Sequence, residues 1–131
     1  MAEVLTHSGH HTVTPYLLVP DAHKLIDFLI EVFEGQETTR IARSDGKVSH
    51  AEVKISGSVV MLGEISDEWD RMSASVYVYV SDTDSTYRRA LRAGSVSFME
   101  PTNLSEADRM AAVQDPFGNV WWIVTHIGDG R

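Results

Sequence analysis

The sequence predicts an α+β fold built from two successive β-α-β-β-β modules with mixed sheets. Short β-rich stretches surround two amphipathic helical stretches, and the order of elements restarts near residue 75. Chemically matched residues also recur at one offset. Val19 and Val80, Asp21 and Asp82, Gly57 and Gly118, and Val59 and Val120 are each 61 positions apart. A constant shift with matching element order on both sides reads as an internal repeat.

Each element follows from local chemistry. Residues 1–11 hold His7, His10 and His11 without apolar periodicity and read as a flexible tail. Residues 12–131 then form one domain, with modules at about 12–64 and 75–127. Val13–Val19 is β-rich, and Pro15 belongs at an edge or strand start. Asp21 is placed to N-cap a helix whose Leu25, Ile26, Phe28, Leu29, Val32 and Phe33 recur at helical spacing, with Gly35 as its stop. Strands follow at about 37–43, 50–55 and 59–64, joined by turn chemistry at Ser44–Lys47 and Ser56–Ser58. After a polar connector, Ser75–Val80 alternates as a strand and Asp82 opens a helix closed by Gly94. Strands at about 97–100, 109–114 and 119–125 complete the second module. The last two are joined by the turn Asp115-Pro116-Phe117-Gly118.

Composition narrows the function. The 131 residues are 43% hydrophobic and 23% charged, ordinary for one domain with its own core. Cysteine is absent, which excludes disulfides, thiolate metal sites and cysteine nucleophiles and suits a reducing compartment. A net charge of −8 disfavours nucleic acid and anionic membranes. The longest apolar run, Val120–Val124, is far short of the roughly 20 residues of a spanning helix. The start lacks a signal peptide's basic and apolar regions, so a cytoplasmic location is expected.

Several stretches resemble one family. They are Val13-Thr14-Pro15-Tyr16-Leu17, His50-Ala51-Glu52-Val53-Lys54-Ile55, and Asp108-Arg109 leading to Asp115–His126 with its Pro116-Phe117-Gly118-Asn119 turn. Together with the paired modules, they resemble the vicinal oxygen chelate superfamily (glyoxalase, bleomycin-resistance and dioxygenase proteins) and within it the PhnB-like branch. The sequence departs from that branch at Leu29, where an aromatic is usual, and at Glu106-Ala107, where Trp-Gly is usual. The resemblance implies two sheets forming a cup, with helices on the convex side and a ligand on the concave side. It also implies a homodimer and, for the bleomycin-resistance relatives, a role in antibiotic resistance.

Strand alternation assigns faces within that fold. Val76, Val78 and Val80 suit a helix, which leaves Ser75, Tyr77 and Tyr79 on the other side. The 61-residue shift adds Thr14, Tyr16 and Leu18, then Val59 and Met61, and Val120, Trp122 and Val124. On the third strands it adds His50 and Glu52, and Arg109, Ala111 and Val113. The expected ligand-binding residues are therefore Tyr16, His50, Glu52, Met61, Tyr77, Tyr79, Arg109 and Trp122. His50 and Glu52, two apart on one face, read either as an acid/base pair or as hydrogen-bonded, half-exposed polar residues. His126 reads as a structural cap or interface residue.

The resemblance maps the superfamily's metal ligands onto Thr14, Met61, Ser75 and Trp122, none of which is a competent ligand. No metal and no cofactor are therefore expected. The leading expectation is a metal-free protein that sequesters an aromatic or cationic small molecule. The alternative is a metal-dependent lyase, isomerase or dioxygenase-like enzyme of the same superfamily.

Overall fold

The computed structural model describes residues 5–7 and 10–127. Strand β1 (Tyr16–Val19), helix α1 (Ala22–Phe33) and strands β2 (Gln36–Ala42), β3 (Val48–Ile55) and β4 (Ser58–Glu64) form the first module. Strand β5 (Ser75–Tyr79), helix α2 (Thr83–Arg92) and strands β6 (Val96–Asn103), β7 (Asp108–Gln114) and β8 (Val120–His126) form the second. Each module carries one four-stranded mixed sheet, ordered β1-β4-β3-β2 and β5-β8-β7-β6. In each, the first strand pairs parallel with the last and the remaining pairs are antiparallel. The α+β architecture and the repeat are those expected from the sequence.

The described residues divide into two compact units, those up to residue 30 together with 34–72, and 31–33 together with those from 73 onward. In the first unit Leu17, Val19, Leu62, Ala51 and Val53 share one fully buried sheet face. Helix α1 buries Leu25, Ile26 and Leu29 completely. Pro15 stands just before β1, where its carbonyl accepts the Met61 amide at 2.9 Å. The free edge of β1 is met by the connector, through a bridge between Leu18 and Met72.

The start of α1 departs from the expected cap. Asp21 adopts a left-handed conformation (φ 58°) and its side chain caps nothing. The cap comes from the far end of β4 instead. The Glu64 carboxylate, 6% exposed, accepts the amides of Asp21 at 2.9 Å and Ala22 at 3.0 Å. A carboxylate there satisfies orphan amides and favours the positive end of the helix dipole. The helix stop also shifts by one residue, since Glu34 rather than Gly35 takes the left-handed conformation (φ 57°).

In the second unit α2 packs on β6, β7 and β8. Here the expected cap forms, with Asp82 accepting the Ser85 amide at 3.2 Å. Trp121 is fully buried, its ring 5.0 Å from that of Phe33. Between β7 and β8 the turn folds around Asp115, which accepts from Phe117 N, Asn119 N, Asn119 Nδ2 and Trp121 Nε1 at 2.7–3.0 Å. Gly118 takes φ 94° inside that turn, a conformation glycine adopts without penalty.

Candidate functional site

Residues directly opposite on paired strands share a face, so sheet register places each candidate. In the first sheet Tyr16, Met61 and Glu52 form one row across β1, β4 and β3. His50 lies on the same face, two residues from Glu52. In the second sheet Tyr77, Trp122 and Ala112 form the corresponding row across β5, β8 and β7. Ser75 and Tyr79 flank Tyr77 on that face. The first row is mixed, with a thioether, a phenol, an imidazole and a carboxylate, whereas the second is aromatic and aliphatic.

The first row contains a hydrogen-bonded network centred on Glu52. Its Oε2 meets His50 Nε2 at 2.9 Å, and its Oε1 meets His10 Nε2 at 2.8 Å. These two bonds, His50 first, hold the Glu52 carboxyl below its ordinary range. The His50 side chain is 23% exposed and that of His10 only 9%. The Tyr16 ring stands perpendicular to the His50 ring at 6.0 Å. Gly63 keeps this corner open: a Cβ there would fall 2.6 Å from the Ser49 carbonyl oxygen and 3.3 Å from the Tyr16 hydroxyl.

His10 is the member that sequence reasoning missed. It belongs to the segment expected as a tail, of which residues 1–4 and 8–9 lie outside the described residues. It reaches Glu52 across 42 positions of sequence, and no local pattern announces such a contact.

The second row is an aromatic wall. Tyr77 and Tyr79 lie 5.5 Å apart edge to face and remain half or more exposed. Partial desolvation, then electrostatic coupling to the neighbouring Tyr79 phenol and the Asp108 carboxylate, raises the Tyr77 phenol above its usual range. The Trp122 indole donates to Ser75 Oγ at 2.8 Å, which fixes the ring on its face.

Arg109 does not belong to this wall, contrary to expectation. Register pairs Arg109, Ala111 and Val113 with Thr125, Ile123 and Trp121, on the face that α2 covers. There Arg109 donates twice to Asp84 of α2, at 2.6 and 3.0 Å, and once to Asn103. The reason is turn length. The paired positions closing the β3–β4 and β7–β8 hairpins are Ile55 with Ser58 and Gln114 with Val120. The second connection breaks the constant 61-residue shift by one residue, and a slip of one inverts every face. Met110 and Ala112 therefore stand where His50 and Glu52 stand in the first sheet.

Other candidates resolve simply. His126 Nδ1 lies 2.9 Å from Asp108 Oδ1 at the end of the β7–β8 pair. A cavity of about 450 Å³ borders Arg43, Asp45, Lys47, Ile65, Ser66 and Asp67, and involves none of the candidate residues. Among the described residues, no helix is long and apolar enough to cross a membrane.

Comparison with known proteins decides the family. The model of the glyoxalase/bleomycin resistance protein/dioxygenase superfamily matches residues 9–123. The chain belongs to this superfamily. It is 32% identical over 123 residues to the uncharacterized protein Rv0887c of Mycobacterium tuberculosis, covering 83% of this chain and 71% of that one. Among solved structures, TioX from Micromonospora sp. ML1 is similar with a TM-score of 0.74 and 24% identity, covering 89% of this chain and 99% of TioX. A PhnB protein from Bacillus cereus, described as a putative 3-demethylubiquinone-9 3-methyltransferase, shares the fold at a TM-score of 0.68 and 15% identity, covering 88% and 99%.

The superfamily's metal-ligand positions can be tested against the side chains that occupy them. Thr14 precedes β1 and gives its hydroxyl to the His11 carbonyl, and Met61 offers a thioether. Ser75 Oγ accepts the Trp122 indole N–H. This donor set does not fit a divalent metal, which wants imidazole, carboxylate or thiolate.

Proposed function

We propose that the protein is a metal-free small-molecule-binding member of the superfamily that sequesters an aromatic or cationic ligand. The observation that carries the reading is the wall on one sheet face of Tyr77 and Tyr79, each half or more exposed, and the partly buried Trp122. Exposed aromatic surface of this kind costs hydration free energy unless something flat or cationic covers it. In the first unit, taken by itself, the face of Tyr16, Met61, His50 and Glu52 combines apolar surface with the few polar groups that small-molecule sites use. The unfit donor set speaks against the metal-dependent lyase, isomerase or dioxygenase alternative.

The proposal includes a homodimer and a cytoplasmic location, with neither nucleic acid nor membrane as partner. The net charge of −8 supports the last point. The test is a thermal-shift and tryptophan-fluorescence screen of aromatic and cationic metabolites and antibiotics, preceded by elemental analysis of the purified protein. A stoichiometric transition metal, or no stabilisation by any aromatic compound, overturns the reading. A mass near 14.6 kDa by light scattering at micromolar concentration overturns the dimer.

A further inference from the structure

We infer that His50 Nδ1 is a fixed hydrogen-bond acceptor beside Tyr16 and Met61, and that the ligand of this site is a flat ring bearing an N–H or O–H donor. The inference rests on the binding reading above and narrows its ligand class.

The argument is one of proton accounting. An ionised carboxylate can only accept hydrogen bonds. Glu52 has one oxygen against His50 Nε2 and the other against His10 Nε2, at 2.9 and 2.8 Å. Both Nε2 atoms must therefore carry hydrogen. In the form of each ring that carries a single N–H, that hydrogen is on Nε2 and Nδ1 keeps its lone pair. The Glu52 carboxyl, held low by these same bonds, stays ionised at neutral pH.

Of the two imidazoles His50 is the accessible one, 23% exposed against 9% for His10. Among the described residues, no hydrogen bond engages His50 Nδ1. Tyr16 stands edge-to-face against the same ring and is 52% exposed, so it offers a surface for a flat ligand next to the acceptor. A ligand edge without a donor would leave the lone pair desolvated and unmatched. That mismatch discriminates between otherwise similar rings by tenfold or more. His10 acts at one remove: it occupies the second oxygen of Glu52 and so holds the carboxylate in place for His50.

Long-range ¹⁵N–¹H spectra of the full chain read the tautomers with no ligand present. The expected pattern is protonated Nε2 and bare Nδ1 on both His10 and His50. In Glu52→Gln the pattern should change on at least one of them, because an amide presents only one oxygen. Phenol and anisole are then titrated against the wild-type protein, with indole and 1-methylindole as a second pair. The donor-bearing probe should move the His50 ring signals at least tenfold more effectively than its methylated twin. A protonated Nδ1 on His50, equal responses within each pair, or no response of His50 to either probe overturns the inference. So does Zn²⁺ alone binding through both Nε2 atoms. The tautomers are read without ligand and the binding reading is judged by the screen, so the two can fail separately.

Discussion

The indole N–H of Trp121 donates to Asp115 Oδ2 at 2.7 Å, in a site where both side chains are buried. The same carboxylate gathers the Phe117 and Asn119 amides and the Asn119 side chain, so the turn and the core side of β8 are tied together at one point. Asp115→Ala orphans all of these donors. A buried unsatisfied donor costs about 1–3 kcal/mol, and a loss of at least about 3 kcal/mol is expected in urea unfolding. Asp115→Asn should cost less, since it keeps the shape and one acceptor.

Trp121 and Trp122 are adjacent but belong to opposite faces. Trp121→Ala should cost roughly 3–5 kcal/mol of stability as a buried large-to-small change. Trp122→Ala should leave the fold standing and weaken an aromatic ligand found by the screen by on the order of 1–3 kcal/mol. Trp122→Glu should bind no metal, because Thr14 and Ser75 still lack imidazoles. Loss of ligand binding in folded Trp121→Ala, with Trp122→Ala unaffected, would reverse the two faces. Denaturation curves and titration calorimetry of the two variants decide it.

Glu64 is expected to behave as a helix cap in spite of its place in a strand. Glu64→Ala should lower stability by about 0.5–2 kcal/mol, the usual range for losing an N-terminal cap. Glu64→Gln should recover part of the loss, as its amide oxygen still accepts one of the two backbone N–H groups. Equal stability of Glu64→Ala and wild type in chemical denaturation would contradict the role.

Acid should destabilise the first module through Glu52. The folded-state carboxyl lies below its ordinary value because His50 and His10 donate to it. Its contribution is therefore present above the unfolded pKa and disappears as pH falls through the folded one. Stability of the wild type should decline below about pH 4.5 more steeply than that of Glu52→Gln. Parallel pH profiles for the two proteins would show that the network carries no linkage.

Arg109→Ala should leave aromatic ligand affinity unchanged, since the guanidinium is committed to Asp84 on the covered face. Its effect on stability should be small and salt-sensitive, because both partners are about one-third exposed. A tenfold loss of ligand affinity would return Arg109 to the site.

The sequence was informative wherever information is local. Alternation of side chains in β1, β4, β5 and β8 announced the faces of Tyr16, Met61, Tyr77 and Trp122, because a strand's period of two leaves no freedom once one position is known. Helical spacing announced α1 and α2 in the same way. Arg109 was placed wrongly because its face depends on the length of a turn that lies beyond it. The capping of α1 by Glu64 and the pairing of His10 with Glu52 depend on contacts over 42 positions, which only the folded chain brings together.

Turn length has one more consequence, for anyone copying chemistry from one half of the molecule to the other. Tandem modules suggest that a pair such as His50 and Glu52 could be duplicated by sequence offset, at 111 and 113. Those codons would deliver an imidazole and a carboxylate into the packed interior beneath α2. The structurally equivalent addresses are Met110 and Ala112, an even-numbered pair that mirrors an even-numbered pair. A symmetric design must therefore follow the pleat and ignore the count.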